Sequence, residues 1–100
     1  MSDLAARLAM LAVRGETETY GAMAQALGLR IGVLTAALEE LMALDAAAGL
    51  PLRAALCRGR LSNGLPARGF YLKAAELGFD VSDPVGFVAM QRAGLFSRQA

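Results

Sequence analysis

The sequence predicts a mainly helical fold on three observations. Apolar residues make up 56% of the 100 residues and charged residues 19%, which is enough apolar side chain for one buried core in a chain of this size. Most of the chain repeats its apolar residues at the three- and four-residue spacing of a helix that faces a core. Glycine or proline closes most of these stretches, where helices commonly end. We therefore expect residues 1–100 to form a single domain.

Two helices are expected before residue 30. The first begins at Ser2 or Asp3, whose side chains can cap it, and ends at Gly15. A polar connector follows. The second helix begins near Tyr20 and ends at Gly28, since glycine readily adopts the left-handed conformation found at helix ends.

A longer helix and a strand are expected next. The apolar stripe of residues 31–47 predicts the longest helix of the chain, which Gly49 and Pro51 stop. From Leu52 to Cys57 the residues alternate between two sides, which is typical of a short half-buried strand. Residues 58–68 are rich in glycine, serine, asparagine and proline and are expected to form a loop or a hairpin tip.

Two further helices complete the expected order. Residues 69–77 predict one helix, and Asp83 with Pro84 forms a cap and first-turn pair for the last helix. The tail after Phe96 is expected to fray. Three helices followed by a strand and a loop are the order of a winged helix. The full expectation is therefore a mainly α fold with a winged helix-turn-helix-like three-helix core, a short strand or hairpin, and two C-terminal helices.

Positive charge is concentrated in the second half of the chain. Residues 1–50 carry a net charge of −3 and residues 51–100 a net charge of +4, and no acid lies between Leu50 and Leu72. A basic segment of this kind can bind phosphate, bind an acidic protein surface, or simply be solvated. Its candidate binding residues are Arg53, Arg58, Arg60 and Arg68.

The third helix is poorly equipped to read bases. Side chains that recognise base edges are mainly arginine, lysine, asparagine, glutamine and serine. Only Arg30 and Thr35 near the start of this helix can hydrogen-bond a base, and Glu39 and Glu40 would repel phosphate. We therefore do not expect recognition of a specific operator sequence.

The segment Thr19-Tyr20-Gly21-x-x-Ala24-x-x-Leu27-Gly28 resembles the one that opens the helix-turn-helix of alkyltransferase and alkyltransferase-like DNA-repair proteins. The similarity covers about residues 19–70. In that family a tyrosine and an arginine turn a damaged nucleotide out of the duplex, and the resemblance implies these roles for Tyr20 and Arg30. The segment from Gly64 to Phe70, Gly-Leu-Pro-x-x-Gly-Phe, also resembles a family of small bacterial winged-helix proteins.

The sequence departs from the alkyltransferase pattern at its cysteine. The family has proline before the cysteine and histidine after it, whereas this chain reads Leu56-Cys57-Arg58 and contains no histidine. A thiol needs a base or positive surroundings to become a nucleophile. Repair of alkylated DNA is therefore not expected, and Cys57 is either an inert small apolar residue or a reactive thiol.

Catalysis and membrane insertion find little support in the sequence. No cluster has the spacing of metal ligands, and no phosphate-binding glycine loop is present. We expect no catalytic activity, no cofactor and no small-molecule substrate. No apolar run reaches the roughly 18–20 residues of a membrane-spanning helix. With one cysteine and no export signal, the expected location is the cytoplasm.

Two functions remain open. The first is a small non-catalytic winged-helix protein that contacts the DNA backbone through the arginine-rich loop, which the charge pattern and the resemblance favour. The second is a protein-binding module, such as a phage or mobile-element-type inhibitor or an adaptor that docks on a larger nucleic-acid-processing complex. The near-neutral net charge and the apolar third helix favour the second, and a homodimer would also cover apolar surface. The candidate binding residues for either are Tyr20, Arg30, Arg53, Arg58, Arg60 and Arg68.

Overall fold

In the computed structural model, which describes residues 3–97, the chain forms five α-helices, one 3-10 turn and two very short strands. In chain order these are α1 (Asp3–Arg14), β1 (Glu18–Thr19), α2 (Tyr20–Leu27), α3 (Ile31–Ala47), the 3-10 turn (Arg53–Leu56), β2 (Cys57–Arg58), α4 (Arg68–Glu76) and α5 (Pro84–Ser97). The expectation of a mainly helical fold is confirmed, and the winged-helix assignment stays a prediction. The expected Ser2 cap lies outside the described residues, as does the tail from residue 98 on. Ser97, which the sequence places in the frayed tail after Phe96, is the last residue of α5.

Local side-chain chemistry sets several helix boundaries. The Thr19 hydroxyl accepts a hydrogen bond from the backbone N–H of Ala22 at 3.2 Å and so caps α2. Gly28 ends that helix with φ at +67°, a conformation that costs glycine little. The Asp83 carboxylate accepts from the backbone N–H of Gly86 at 3.2 Å, which confirms the predicted cap of α5.

The buried side chains form one cluster to which every helix contributes. The predicted apolar stripe of α3 supplies Leu34, Leu38 and Met42, all buried. The 3-10 turn lies inside the bundle and contacts α1, α3 and α5. This turn, rather than a sheet, occupies the centre of the fold.

The prediction of a strand from Leu52 to Cys57 is wrong. Residues 53–56 form the 3-10 turn, and the chain becomes extended only at Cys57. Leu52 and residues 54–57 are all buried, so the alternation in the sequence does not mark an exposed side. The Asp45 carboxylate of α3 accepts a hydrogen bond from the backbone N–H of Arg53 at 3.0 Å, and this contact starts the turn.

The two strands pair in parallel, with Glu18 opposite Cys57 and Thr19 opposite Arg58. Strand β1 lies in the segment that the sequence predicts to be a polar connector. Arg7 of α1 holds Glu18 through two hydrogen bonds of 2.6 and 2.7 Å, from Nε and Nη2 to the two carboxylate oxygens. The pairing brings the start of α2 beside the end of the 3-10 turn. Within residues 3–97 no hairpin follows β2, because the chain continues through a loop into α4.

Candidate functional site

Residues 59–65, which we call the tip loop, form a hydrogen-bonded chain reversal. The backbone N–H of Gly59 donates to the carbonyl of Leu65 at 2.9 Å, and the N–H of Leu65 donates to the carbonyl of Ser62 at 3.0 Å. Asn63 and Gly64 close the reversal with φ angles of +54° and +82°. The predicted loop at residues 58–68 is therefore confirmed for residues 59–67, whereas Arg58 belongs to β2 and Arg68 begins α4.

Arg53 forms an ion pair with the carboxylate of Asp45. Its Nη2 lies 2.8 Å from Oδ1, and its Nε donates to both carboxylate oxygens at 3.0 Å. The Asp45 side chain is only 3% exposed. A buried carboxylate requires such a partner, so the Arg53 guanidinium neutralises a charge inside the protein.

Tyr20 and Arg58 also make intramolecular bonds. The Tyr20 hydroxyl accepts a hydrogen bond from the backbone N–H of Ala67 at 2.9 Å. Burial raises the pKa of Tyr20 to about 12, so this hydroxyl stays protonated at neutral pH. The Arg58 Nη1 atom donates to the hydroxyl of Thr17 at 2.9 Å. Both side chains thus tie the segment around β2 and the loop to the start of α2.

The remaining candidates, Arg30, Arg60 and Arg68, are exposed. Within residues 3–97 their side chains take part in no ion pair, and none of the side-chain hydrogen bonds of this part of the chain involves them. Arg30 is the residue before α3 and Arg68 is the first residue of α4, and neither helix carries an acid in its first turn. These guanidinium groups are therefore available to an external anion.

An apolar groove of about 210 Å³ lies between α3 and the start of α4. Its lining residues are Tyr20, Ile31, Thr35, Leu38, Glu39, Met42, Ala54, Ala67, Gly69 and Phe70. Ile31 and the nearby Val33 are 52% and 53% exposed, so α3 presents apolar side chains where a base-reading helix would present polar ones. Arg30 and Arg68 directly precede Ile31 and Gly69 in the chain. Each of these exposed arginines is therefore adjacent in the chain to a residue that lines the groove, a proximity to the groove that the sequence did not predict.

Cys57 lies in an environment that keeps its thiol protonated. The side chain is fully buried, and its Sγ lies 3.7 Å from the Sδ of Met23. Burial raises the pKa of the Cys57 thiol to about 12. Since the thiolate is the reactive form, a buried and protonated Cys57 fits the role of an inert small apolar residue.

Two polar side chains that the sequence does not predict as site residues, Arg92 and Tyr71, have buried polar atoms. Arg92 of α5 donates from Nε to the carbonyl of Ala55 at 2.7 Å. Its Nη2 atom and the Tyr71 hydroxyl are buried, and neither has a hydrogen-bond partner among the described residues. Burial lowers the pKa of Arg92 and raises that of Tyr71. No repeated pattern in the sequence marks these two residues.

The geometry of the chain is the only support for a site. Comparison with protein-family models, with curated proteins and with solved structures found no match. Among residues 3–97, no three histidine, cysteine, aspartate or glutamate side chains are placed to hold a metal ion. In the same part of the chain, no helix has the length and apolar character needed to cross a membrane.

Proposed function

We propose that this protein is a small cytoplasmic winged-helix protein that binds the backbone of nucleic acid, without catalysis, through Arg30, Arg60 and Arg68. One observation carries the proposal. These three arginines are exposed and unpaired within residues 3–97, whereas Arg53 and Arg58 are engaged in intramolecular bonds. The proposal therefore uses three of the six candidate residues and gives the other three structural roles.

The electrostatics around the three arginines favour phosphate as their ligand. An exposed guanidinium without a carboxylate partner has its N–H donors free and can bind a phosphate with two hydrogen bonds. The N-terminal ends of α3 and α4 lie beside Arg30 and Arg68 and add positive potential. No acid lies between Leu50 and Leu72 in the sequence around Arg60 and Arg68, whereas Glu39 of α3 lines the groove and opposes phosphate there.

The strand pairing supports the winged-helix part of the proposal. Strand β1 lies between α1 and α2 and pairs with β2, which follows α3. The exposed start of α3 carries Ile31 and Val33 rather than side chains that read bases. Because backbone contacts alone carry little sequence information, we expect binding that depends weakly on sequence.

Fluorescence anisotropy with a labelled duplex and the matching single strand tests the proposal. Three phosphate contacts should weaken duplex binding about 40-fold between about 50 and about 200 mM NaCl, because each contact releases counterions. The triple change Arg30→Ala, Arg60→Ala and Arg68→Ala should remove most of this salt dependence. The corresponding lysine variant keeps the charge and should retain it, and Arg14→Ala, an exposed arginine elsewhere, should behave as the original protein. Absence of binding to both probes at low salt would refute the proposal.

Protein binding is the second candidate function, and the apolar groove favours it. A volume of about 210 Å³ between α3 and α4 can accept one apolar side chain of a partner, and Ile31, which lines the groove, is 52% exposed. Burial of such a side chain typically contributes about 1.5–3 kcal/mol. The positive charges of Arg30 and Arg68, each adjacent in the chain to a groove residue, match a partner whose anchor is flanked by acids.

The groove is tested with a partner purified from the host and then remixed with this protein in calorimetry. Ile31→Asp should abolish binding, because it places a charge at the groove. Val85→Asp serves as the control, since Val85 lies on α5 and is similarly exposed, at 59% against 52% for Ile31. Equal affinity of the two variants would exclude the groove as the contact surface.

A further inference from the structure

We infer that Leu61 is a wedge residue, which inserts from the minor groove between two base pairs of duplex DNA while Asn63 contacts the groove and Arg60 contacts the phosphate that borders it. The inference rests on the proposed function. It adds the form of the nucleic acid, the groove that is entered, and the side chain that enters it.

The first observation is the exposure of Leu61. Its side chain is 93% exposed, more than any other large apolar side chain of the described residues. Leu61 lies in the tip loop, which joins β2 to α4 and projects a leucine where small polar residues usually suffice. A leucine in this position gains free energy only when another surface covers it.

The second observation is the set of hydrogen bonds within the loop that presents Leu61. The bonds from Gly59 to Leu65 and from Leu65 to Ser62 close the loop on itself, and the Ser62 hydroxyl donates to the carbonyl of Gly59 at 3.0 Å. A wedge must push two stacked bases apart, which costs a few kcal/mol. A preorganised loop loses little conformational entropy on binding, so less of the contact energy is offset by ordering.

The third observation is the chemistry on both sides of Leu61. Arg60 and Asn63 are exposed hydrogen-bond donors within two residues of it. The minor groove presents N3 and O2 acceptors at its floor, and proteins read it with side chains such as asparagine while apolar side chains such as leucine unstack a base step. Arg60, and Arg68 after the loop, are then available to the phosphates that border the groove. One cation, one apolar wedge and one amide in four residues match this partner better than an uncharged protein pocket.

The test uses a duplex with 2-aminopurine beside a central TA step, since this base fluoresces more strongly when it is unstacked and TA steps open most easily. The original protein should raise the fluorescence on binding. Leu61→Ala should weaken duplex binding about 10-fold, remove the fluorescence rise, and leave the salt dependence unchanged. Leu72→Ala, an exposed leucine on α4 at 59%, is the matched control and should change neither quantity.

The outcomes separate this inference from the proposed function. If Leu61→Ala binds the duplex and raises the fluorescence like the original protein, the wedge is refuted while backbone binding stands. Preference for the single strand over the duplex also refutes the wedge and keeps nucleic-acid binding. Absence of binding to both the duplex and the single strand at low salt would refute the wedge and the proposed function together. Circular dichroism of the variant confirms folding, which a change at so exposed a side chain should not alter.

Discussion

The hydroxyl of Tyr20 accepts a hydrogen bond from the backbone N–H of Ala67, at 2.9 Å and across 47 positions of sequence. Tyr20 is the first residue of α2, and Ala67 is the residue immediately before α4. The bond therefore fixes the start of α4 against α2 and positions Arg68, the next residue of the chain. A tyrosine that the sequence suggests as a nucleic-acid contact instead orients an arginine that we propose as one.

The two tyrosine hydroxyls, one hydrogen-bonded and one buried without a partner among the described residues, give a matched pair of variants. Tyr20→Phe should lower the free energy of unfolding by about 0.5–1 kcal/mol, because it leaves the N–H of Ala67 without its acceptor. Tyr71→Phe should be neutral or stabilising, because the Tyr71 hydroxyl is buried without a partner among the described residues. Urea unfolding of both variants measures the difference, and equal losses would contradict this assignment of partners.

The ion pair of Asp45 and Arg53 should contribute far more to stability than an exposed pair. Asp45→Ala should lower the free energy of unfolding by about 3 kcal/mol, because it removes the acceptor of the Arg53 backbone and leaves the guanidinium of Arg53 unpaired. Glu76→Ala breaks the exposed pair with Lys73, at 3.3 Å, and should cost less than about 0.5 kcal/mol. Thermal and urea unfolding check the ranking. A loss for Asp45→Ala as small as that for Glu76→Ala would show that the buried pair is not needed.

Cys57 should make the protein less stable at high pH. The thiol has a pKa of about 12 in the folded chain and an ordinary value of 9.0, so the unfolded chain releases this proton first as pH rises. This contribution to stability is present below pH 9 and is lost between pH 9 and the folded value, by about 1.4 kcal/mol at pH 10. Unfolding at pH 8 and pH 10 should show a larger decrease for the original protein than for Cys57→Ala. In native buffer at pH 8 the thiol should also resist iodoacetamide, which should react once guanidinium unfolds the chain.

Glu18 should have the opposite pH dependence. The hydrogen-bonded guanidinium of Arg7 lowers the pKa of the Glu18 carboxyl below its ordinary 4.5. The pair thus stabilises the fold above pH 4.5, and that contribution is lost as the pH falls through the lowered pKa. In acid titrations followed by circular dichroism, Glu18→Gln should be less stable than the original protein at pH 7, and the difference should shrink towards pH 3. A difference that does not depend on pH would contradict the role of this ion pair.

The helices could be predicted from the sequence because their signals are local. The apolar stripe of residues 31–47 and the stop at Gly49 reproduce α3, and the Asp83 and Pro84 pair reproduces the start of α5. Each of these signals lies within a few residues of the feature it determines. The chain therefore specifies its main elements by short-range chemistry.

The segments that sequence reasoning misjudged depend on contacts between distant residues. Residues 53–56 turn because Asp45, eight positions earlier, accepts a hydrogen bond from the backbone of Arg53. Strand β1 forms where Glu18 meets Arg7 of α1 and pairs with Cys57. Neither contact has a periodic pattern in the sequence, so the sequence predicts a strand where the turn forms and a polar connector where β1 forms.

The candidate site also has some features that the local sequence predicts and others that depend on contacts between distant residues. Glycine, asparagine, serine and proline at residues 58–68 predict the loop, and the charge count predicts its positive potential. Which arginines remain free depends on partners elsewhere, Asp45 for Arg53 and Thr17 for Arg58. The apolar groove also needs two helices to be placed side by side, which no single stretch of sequence shows.

The central position of the 3-10 turn has a consequence for the order of folding. Residues 54–57 are at most 2% exposed and contact three helices, whereas each helix can begin to form from contacts along its own length. The turn can be enclosed only after α1, α3 and α5 have assembled around it. Its amide protons, such as that of Ala55, which bonds the carbonyl of Leu52 at 3.0 Å, should therefore exchange with deuterium only through global unfolding. During refolding, protection of these amide protons from exchange would then report the moment at which the whole fold is complete.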